Sequence, residues 1–453
     1  MGSSVLSSVC APPMAPGRRP LVGHALGLRF RPLAFVESLR GRGDVVTIKL
    51  GPRTAYFVNS PQLTRELLTT RYRHFGKGGP LYAIVRKILG NGLVTSDGLV
   101  HRRHRRLMQP AFHRDRLAEY ATVMTEAATA TGDGWREGQH LDVPAEMLAL
   151  VTTVGIKTLF SAGSAADAVA EMQQALPVLG HGAGKRIRTP IEILYKLPLP
   201  GNRRYDEAVA RLDQLTDRIV ADYRAAGVQR ADLLSMLLAA RDEDTGQGLS
   251  DDEIHDECLT LLLASGETTA NTLSWVWYVL STEPDVERLV QAEVDTVLGG
   301  RPATYDDCPK LEYLQRVIME TLRMYPPLWM TTRSVDTDID LGGYQLRANT
   351  DVFISPYMIH RSPEVYPEPD RFDPDRWLPD RHGSLQRDSF LPFGAGIRQC
   401  LGNNFGMIEL IITLGTLIGR WHLRAVPGQN THAKVDGVLH PSPLTMTIER
   451  RNR

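Results

Sequence analysis

The chain has 453 residues, with 52 Lys plus Arg against 52 Asp plus Glu. That balance argues against an electrostatic nucleic-acid binder, which needs a basic surplus to displace phosphate counterions. Hydrophobic residues make up 42% and charged residues 23%. This is a globular composition that excludes disorder as the main state, and no uncharged apolar run reaches the roughly 18 residues of a membrane span.

Residues 1–16 contain neither a basic n-region nor an apolar h-region. Residues 1–15 therefore read as a short flexible tail rather than a secretory signal, and the protein as cytoplasmic. The β-branched runs at 45–50 and 55–58, parted by Gly51-Pro52, predict a hairpin. From Pro61 to about Ile339 the pattern is mostly helical, with Ala/Leu/Glu/Arg-rich segments at 118–136, 204–226 and 233–241. Asp251–Thr282 predicts one unusually long helix, apolar on nearly all sides in its middle, which belongs in the interior. Beyond Pro326-Pro327 short strands and turns take over, followed by a Pro/Asp/Arg-rich stretch at 363–379 that predicts coil held by packing. An apolar helix at about 403–420 and strands at 421–450 complete the pattern. No repeat or linker divides it, so residues 16–453 are expected to form a single domain, mainly α with a small β-rich lobe.

Four cysteines, Cys10, Cys258, Cys308 and Cys400, lie far apart with no C-x-x-C pair, which fits neither a disulfide framework nor a zinc site. Cys400 stands apart through its surroundings, Phe393-Gly394-Ala395-Gly396-Ile397-Arg398-Gln399-Cys400-Leu401-Gly402. Glycines let the backbone turn tightly, and the cysteine leads straight into a helix whose N–H groups and dipole favour a metal-ligating thiolate. For an arbitrary cysteine, a buried structural role is the commoner one. Phe, Gly, Arg, Cys and Gly at these offsets, however, should arise by chance on the order of once in ten thousand such chains.

This segment resembles the haem-binding signature F-x-x-G-x-R-x-C-x-G of the haem-thiolate monooxygenases, the cytochromes P-450. The resemblance implies haem b with Cys400 as the iron ligand, Phe393 beside the sulfur, Gly396 and Gly402 allowing close approach to the porphyrin, and Arg398 pairing with a propionate. Glu320 and Arg323, followed by Tyr325-Pro326-Pro327, are similar to the family's E-x-x-R helix. The stretch Pro369-Asp370-Arg371-Phe372 then implies that Arg371 completes a buried triad with them. Ala264-Ser265-Gly266-Glu267-Thr268-Thr269 resembles the oxygen-activation motif, with Ser265 where Gly is usual. It implies that Thr268 organises water near dioxygen while Glu267 relays protons, one oxygen atom leaving as water. The bland alternative is that Thr268 bonds back to the Ala264 carbonyl and Glu267 meets a surface partner. The run His101-Arg102-Arg103-His104-Arg105-Arg106, ahead of Gln109-Pro110-Ala111-Phe112, resembles the family's W-x-x-x-R propionate pair, with His101 in the Trp position and Arg105 as the cation. Arg333 is the remaining propionate partner by the same resemblance, and Arg102, Arg103 and Arg106 form a basic docking surface for an acidic redox partner.

The implied reaction inserts one atom of O2 into an apolar small molecule. The chain has no G-x-G-x-x-G dinucleotide fingerprint in a βαβ setting, so NAD(P)H-derived electrons are expected through an external ferredoxin and ferredoxin reductase. The pocket is expected to draw on Leu81, Tyr82, Val85 and Leu93, on Leu263 and Ala264 of the long helix, and on Trp329, Met330 and Leu444. Segments 73–112 and 202–241 are similar to actinobacterial sesquiterpene oxygenases of the pentalenene and albaflavenone type. The expected substrate is therefore a cyclic terpene of secondary metabolism or antibiotic biosynthesis. Fatty-acid or macrolide hydroxylation by the same family, or a non-catalytic haem sensor, are the alternatives. A monomer with no membrane span and no nucleic-acid partner is expected.

Overall fold

The computed structural model describes residues 10–160, 165–188, 192–226, 232–242, 245–381 and 383–451. The hairpin is present as Val45–Leu50 and Arg53–Val58, with Val45 opposite Val58. The second strand continues in parallel to Asp351–Ile354, which pairs with Thr331–Val335 and through it with Phe75–Gly76. Residues 45–48 and 55–58 are all buried, so both faces of the hairpin are covered. β-branched side chains suit that double coverage.

The tail expectation needs correction over residues 10–15. Ala15 donates to the Thr47 carbonyl at 2.8 Å, Thr47 donates back to the Pro13 carbonyl at 2.7 Å, and Cys10 donates to the Gly343 carbonyl at 3.0 Å. Residues 12–15 thus lie along the open edge of Val45–Leu50 and Cys10 bridges to the Gly343 turn, mostly through main-chain bonds that leave no side-chain pattern to read. The remainder of the expected tail lies outside the described residues.

The helical lobe is built on Asp251–Thr282, a 32-residue helix opened by a capping box in which Ser250 and Glu253 bond reciprocally. Asp251, Asp252 and Glu253 occupy its first turn, where the helix dipole favours negative charge. Around it pack Val143–Leu159, Glu312–Met324 and Asn403–Ile418, burying Val154, Leu273, Val276, Leu314 and Leu414 completely. The long helices read from the sequence are present as Arg114–Gly134, Pro200–Ala226 and Leu233–Ala239. The pattern does not single out Ala165–Arg188, whose interior contains Pro177 and three glycines at 180, 182 and 184. Residues 421–450 form strands as expected. Trp421–Ala425 and Thr445–Arg450 pair and take in His140–Asp142, while His432–Asp436 and Val438–Ser442 make a separate hairpin turning at Gly437. Among the described residues no helix is long and apolar enough to cross a membrane.

Candidate active site

Cys400 sits where its loop meets the helix Asn403–Ile418, held by its own N–H donating to the Phe393 carbonyl at 2.8 Å. Gly394 and Gly396 both have φ +70°, and a Cβ on Gly396 would collide with the Leu68 carbonyl oxygen. Glycine is therefore required there twice over, for the left-handed backbone and for contact with the helix Pro61–Thr69. The Cys400 side chain is accessible, yet desolvation pushes its thiol pKa up. The Gly402 N–H and the Arg105 guanidinium pull in the other direction, towards thiolate. An accessible group in desolvating surroundings marks an interior space.

The long helix opens onto the same space. Ala264 is exposed although Leu262 and Gly266 are buried, and Thr268, one turn on, shares its face. The two helices meet nearby, since a Cβ on Gly406 would stand 3.9 Å from Thr269 Oγ1. Ala264 and Cys400 each lie within two turns of that crossing. The Thr268 hydroxyl donates to the Ala264 carbonyl at 3.1 Å, the back-bonded arrangement weighed above, which leaves its oxygen free to accept. Glu267 is turned towards Ala165–Arg188 instead, where a Cβ on Gly180 would collide with Oε1. Burial, then the Asp436 carboxylate, pushes its pKa up to about 7. Ser265 faces neither group. It donates to the Leu262 carbonyl at 3.3 Å and lies 2.9 Å from where a Cβ on Gly155 would be, so the departure from the usual motif is absorbed by the neighbouring helix.

A cationic pocket adjoins the cysteine loop. Arg398 donates to the Ser96 carbonyl at 3.1 Å and pairs with Asp97, Arg105 donates to the Gln399 carbonyl at 2.7 Å, and Arg333 donates to the Thr332 carbonyl at 2.7 Å. His101 is 2% exposed with Nδ1 unpartnered, and its pKa is pushed down to about 3 by burial, then by Arg398, Lys77 and Arg105. Lys77, which the sequence reading missed, donates to the Val94 carbonyl at 2.5 Å. Its pKa is held well below the usual lysine range by burial and then by Arg398 and Arg333. Its one available signal was a lysine set among glycines, Gly76-Lys77-Gly78-Gly79. Four crowded cations gather around the Asp97 carboxylate, with Asp336 beside it at Gly76. Burying such an excess is costly unless an anion completes it.

Several expected positions move. Arg371 is an exposed partner of Glu368 at 3.4 Å, and only its carbonyl accepts from Arg323. The third member of the buried cluster is Arg376, whose Nε lies 3.4 Å from Glu320 Oε1, beside the Trp377 Nε1 donor at 3.0 Å. Arg323 itself makes two bonds of 2.8 and 2.9 Å to the same carboxylate. The 3-10 turn Pro374–Trp377 points Arg376 inward, whereas Arg371 lies on an outer turn. Leu444 belongs to the core beneath His140–Asp142, its carbonyl accepting from Val143, because strand Thr445–Arg450 pairs away from the interior space. Gly437, in the preceding hairpin, lines an apolar cavity against the β-rich lobe. Tyr82 turns its hydroxyl to Arg333 at 3.3 Å, on the cationic side. Leu81, Trp329 and Met330 line the same mainly apolar cavity of about 540 Å³, closed by Leu26, Leu50 and Phe353, whose lining includes neither Cys400 nor the Ala264–Thr268 face. Leu263, Val85 and Leu93 are half-buried. Two of the three arginines expected to dock a partner are engaged within the chain, Arg103 with Glu253 at 2.7 Å and Arg106 with Asp242 at 2.5 Å. His104 is buried between Glu257 at 2.6 Å and Glu253 at 3.1 Å.

A flat ring bearing two carboxylates would offset most of the excess charge of the pocket and could meet the Cys400 thiol from the open side. The residues present fit that group, and the class so defined is the haem-thiolate proteins. Comparison with known proteins assigns the chain within this class. It belongs to the cytochrome P-450 family, whose model matches residues 12–448. It is 47% identical over 439 residues to cyclooctatin synthase of Streptomyces melanosporofaciens, covering 97% of this chain and 95% of that protein. Pentalenene oxygenase of Streptomyces avermitilis is 40% identical over 438 residues, covering 96% and 97%. The crystal structure of the cytochrome P450DA heme domain superposes with a TM-score of 0.89 at 27% identity, covering 98% of this chain and 99% of that one. The protein is thus a haem-thiolate monooxygenase with the mainly helical fold of that family.

Proposed function

We propose that this monooxygenase hydroxylates a cyclic terpene in secondary metabolism, with Cys400 holding the haem iron. The observation that carries the reading is the accessible Cys400 thiol at a helix mouth, beside the Ala264–Thr268 face of the central helix. Arg105, Arg333, Arg398, His101 and Lys77 hold the two propionates. When bound, the haem supplies reduction of O2 by two electrons and two protons, one oxygen atom entering a C–H bond of the substrate and the other leaving as water. The Thr268 hydroxyl, with its proton on the Ala264 carbonyl, accepts a hydrogen bond from water beside the reacting oxygen, and Glu267 delivers protons. The apolar cavity lined by Leu81, Trp329 and Met330, set apart from Cys400 and Thr268, suits the entry of a hydrocarbon skeleton rather than its reacting position. The relatives named for cyclooctatin and pentalenene support a terpene. Electrons come from a ferredoxin and its reductase.

The test is the difference spectrum of the dithionite-reduced protein with carbon monoxide. A Soret band strongly red-shifted from that of His-ligated haem is expected, and it should disappear in Cys400→Ser. Retention of the band in that variant would remove Cys400 from the role. Titration with cyclic terpenes should then shift the resting spectrum, whereas fatty acids should not.

A further inference from the structure

Glycines at 180 and 184, one helical turn apart on Ala165–Arg188, cut a notch in that helix. The Glu267 carboxylate fills its first half, lying where a Cβ on Gly180 would be. The Asp436-Gly437 turn fills the second half. A Cβ on Gly184 would stand 2.6 Å from the Gly437 nitrogen and 2.7 Å from the Asp436 carbonyl carbon, and one on Gly437 would stand 3.2 Å from the Gly180 carbonyl oxygen. An acid of the central helix and an acidic turn of the C-terminal hairpin therefore share one side-chain-free surface.

The turn carries a cluster of titratable groups that the reading above does not use. Asp436 lies 2.6 Å from Lys434 Nζ, 3.6 Å from His440 Nε2 and 3.8 Å from His181 Nδ1. His181 is 66% exposed while Asp436 is 16% exposed, so the cluster runs from solvent to the notch. Of the elements packed against the central helix around Glu267, Val143–Leu159 brings Leu148 and Gly155 to its neighbours, both uncharged, Ala165–Arg188 brings Gly180 and His181, and Val438–Ser442 brings His440 as its titratable group. The charge whose field reaches Glu267 is that of Asp436. No hydrogen bond holds the Glu267 carboxylate among the described residues.

We propose that this cluster is the proton port of the reaction, Asp436 passing protons from the exposed His181 through the glycine notch to Glu267. The proposal rests on the role given above to Glu267 and Thr268. Each turnover consumes two protons with two electrons, and the port draws both protons from solvent. Asp436 acts through Glu267 and is a relay and positioning residue, not a catalytic one. Its negative charge has a second effect, since a like charge nearby keeps Glu267 protonated and able to donate near neutral pH.

The test reads the protonated Glu267 carboxyl directly, by infrared-detected pH titration of the haem-bound protein, the band being identified by its loss in Glu267→Gln. Asp436→Asn should lower the titration midpoint by about one pH unit. Lys434→Met, which unmasks the Asp436 charge, should raise it, and Asp436→Glu should leave it high. With the ferredoxin system, Asp436→Asn should also enlarge the solvent-deuterium isotope effect on turnover and divert electrons to peroxide, while terpene-induced spectral shifts stay unchanged. An unmoved midpoint and isotope effect in Asp436→Asn would overturn the proposal. So would shifts of the same sign in Asp436→Asn and Lys434→Met, because these report distortion rather than charge. If Glu267→Gln itself leaves coupling intact, the role of Glu267 fails first and takes the port with it.

Discussion

On the cysteine side of the interior space the ionised groups are tied down, and on the central-helix side the key one is left loose. Glu320 is held by Arg323, Arg376 and Trp377, while Arg398 and Arg105 each donate to a main-chain carbonyl. Glu267 rests in a notch of glycines, with its pKa pushed to about 7. The first arrangement fixes a charge pattern that a bound dianion completes. The second leaves one acid free to gain and lose a proton. Rigidity and lability are separated by the width of the site, and each is encoded by a different residue type, arginine on one side and glycine on the other.

The largest expected effect breaks the fixed side. Arg376→Ala should destabilise the haem-bound protein by about 1 to 3 kcal/mol, because Glu320 keeps its two bonds from Arg323 but loses its second buried cation. Arg371→Ala should cost less than about 0.5 kcal/mol, in line with its exposed ion pair. Chemical unfolding followed by circular dichroism and haem absorbance distinguishes the two, and equal losses would return the triad to Arg371. Next, Lys77→Met should speed haem transfer to an acceptor globin about tenfold, since a charge-assisted contact to the anion is lost. The same change should raise the stability of the haem-free protein by relieving repulsion from Arg398 and Arg333. A variant that is weaker in both states would show Lys77 to be a packing residue only.

On the labile side the sign follows from the raised pKa of Glu267. Folded Glu267 keeps its proton up to about pH 7, whereas an unfolded glutamate loses it near pH 4.3. The folded state therefore binds the extra proton in this window, and the stability it contributes falls as pH rises from the unfolded pKa through the folded one. Glu267→Gln, which cannot ionise, should become progressively more stable than the parent between these pH values and hold its advantage above them. Thermal melts at several pH values check this. The smallest effect is expected for Ser265→Gly. It loses one hydrogen bond of 3.3 Å and a contact over Gly155, and should leave electron coupling unchanged, with a stability loss of about 1 kcal/mol.

How much of this was legible follows from the range of each signal. The Cys400 loop packs its chemistry into ten residues, and Asp251–Thr282 declares itself by a long apolar run between an acidic first turn and Pro284. Both are local, and both stand in the structure where the sequence puts them. Arg371 and Arg376 lie five residues apart in one Pro/Asp/Arg-rich stretch, and only the turn at Pro374–Trp377 decides which points inward. Leu444 and Gly437 differ in the same way, by which strand of two hairpins faces the apolar cavity. Lys77 had only its neighbouring glycines to mark it, because its importance arises from charges brought together from residues 97 to 398. Residues 10–15 are held by main-chain bonds, which any sequence can make.

Gly396 ties the cysteine loop to Leu68 without an intervening side chain. The helix Pro61–Thr69 follows directly from the first hairpin of the sheet, so the Cys400 loop and the β-rich lobe have no slack between them. They are expected to open as one cooperative unit. In native-state hydrogen exchange the amides of the Cys400 loop should keep pace with those of the sheet, and iron release should share the activation barrier of that lobe. A heavier residue at position 396 would uncouple the two, giving a protein that sheds its iron while its sheet is still intact.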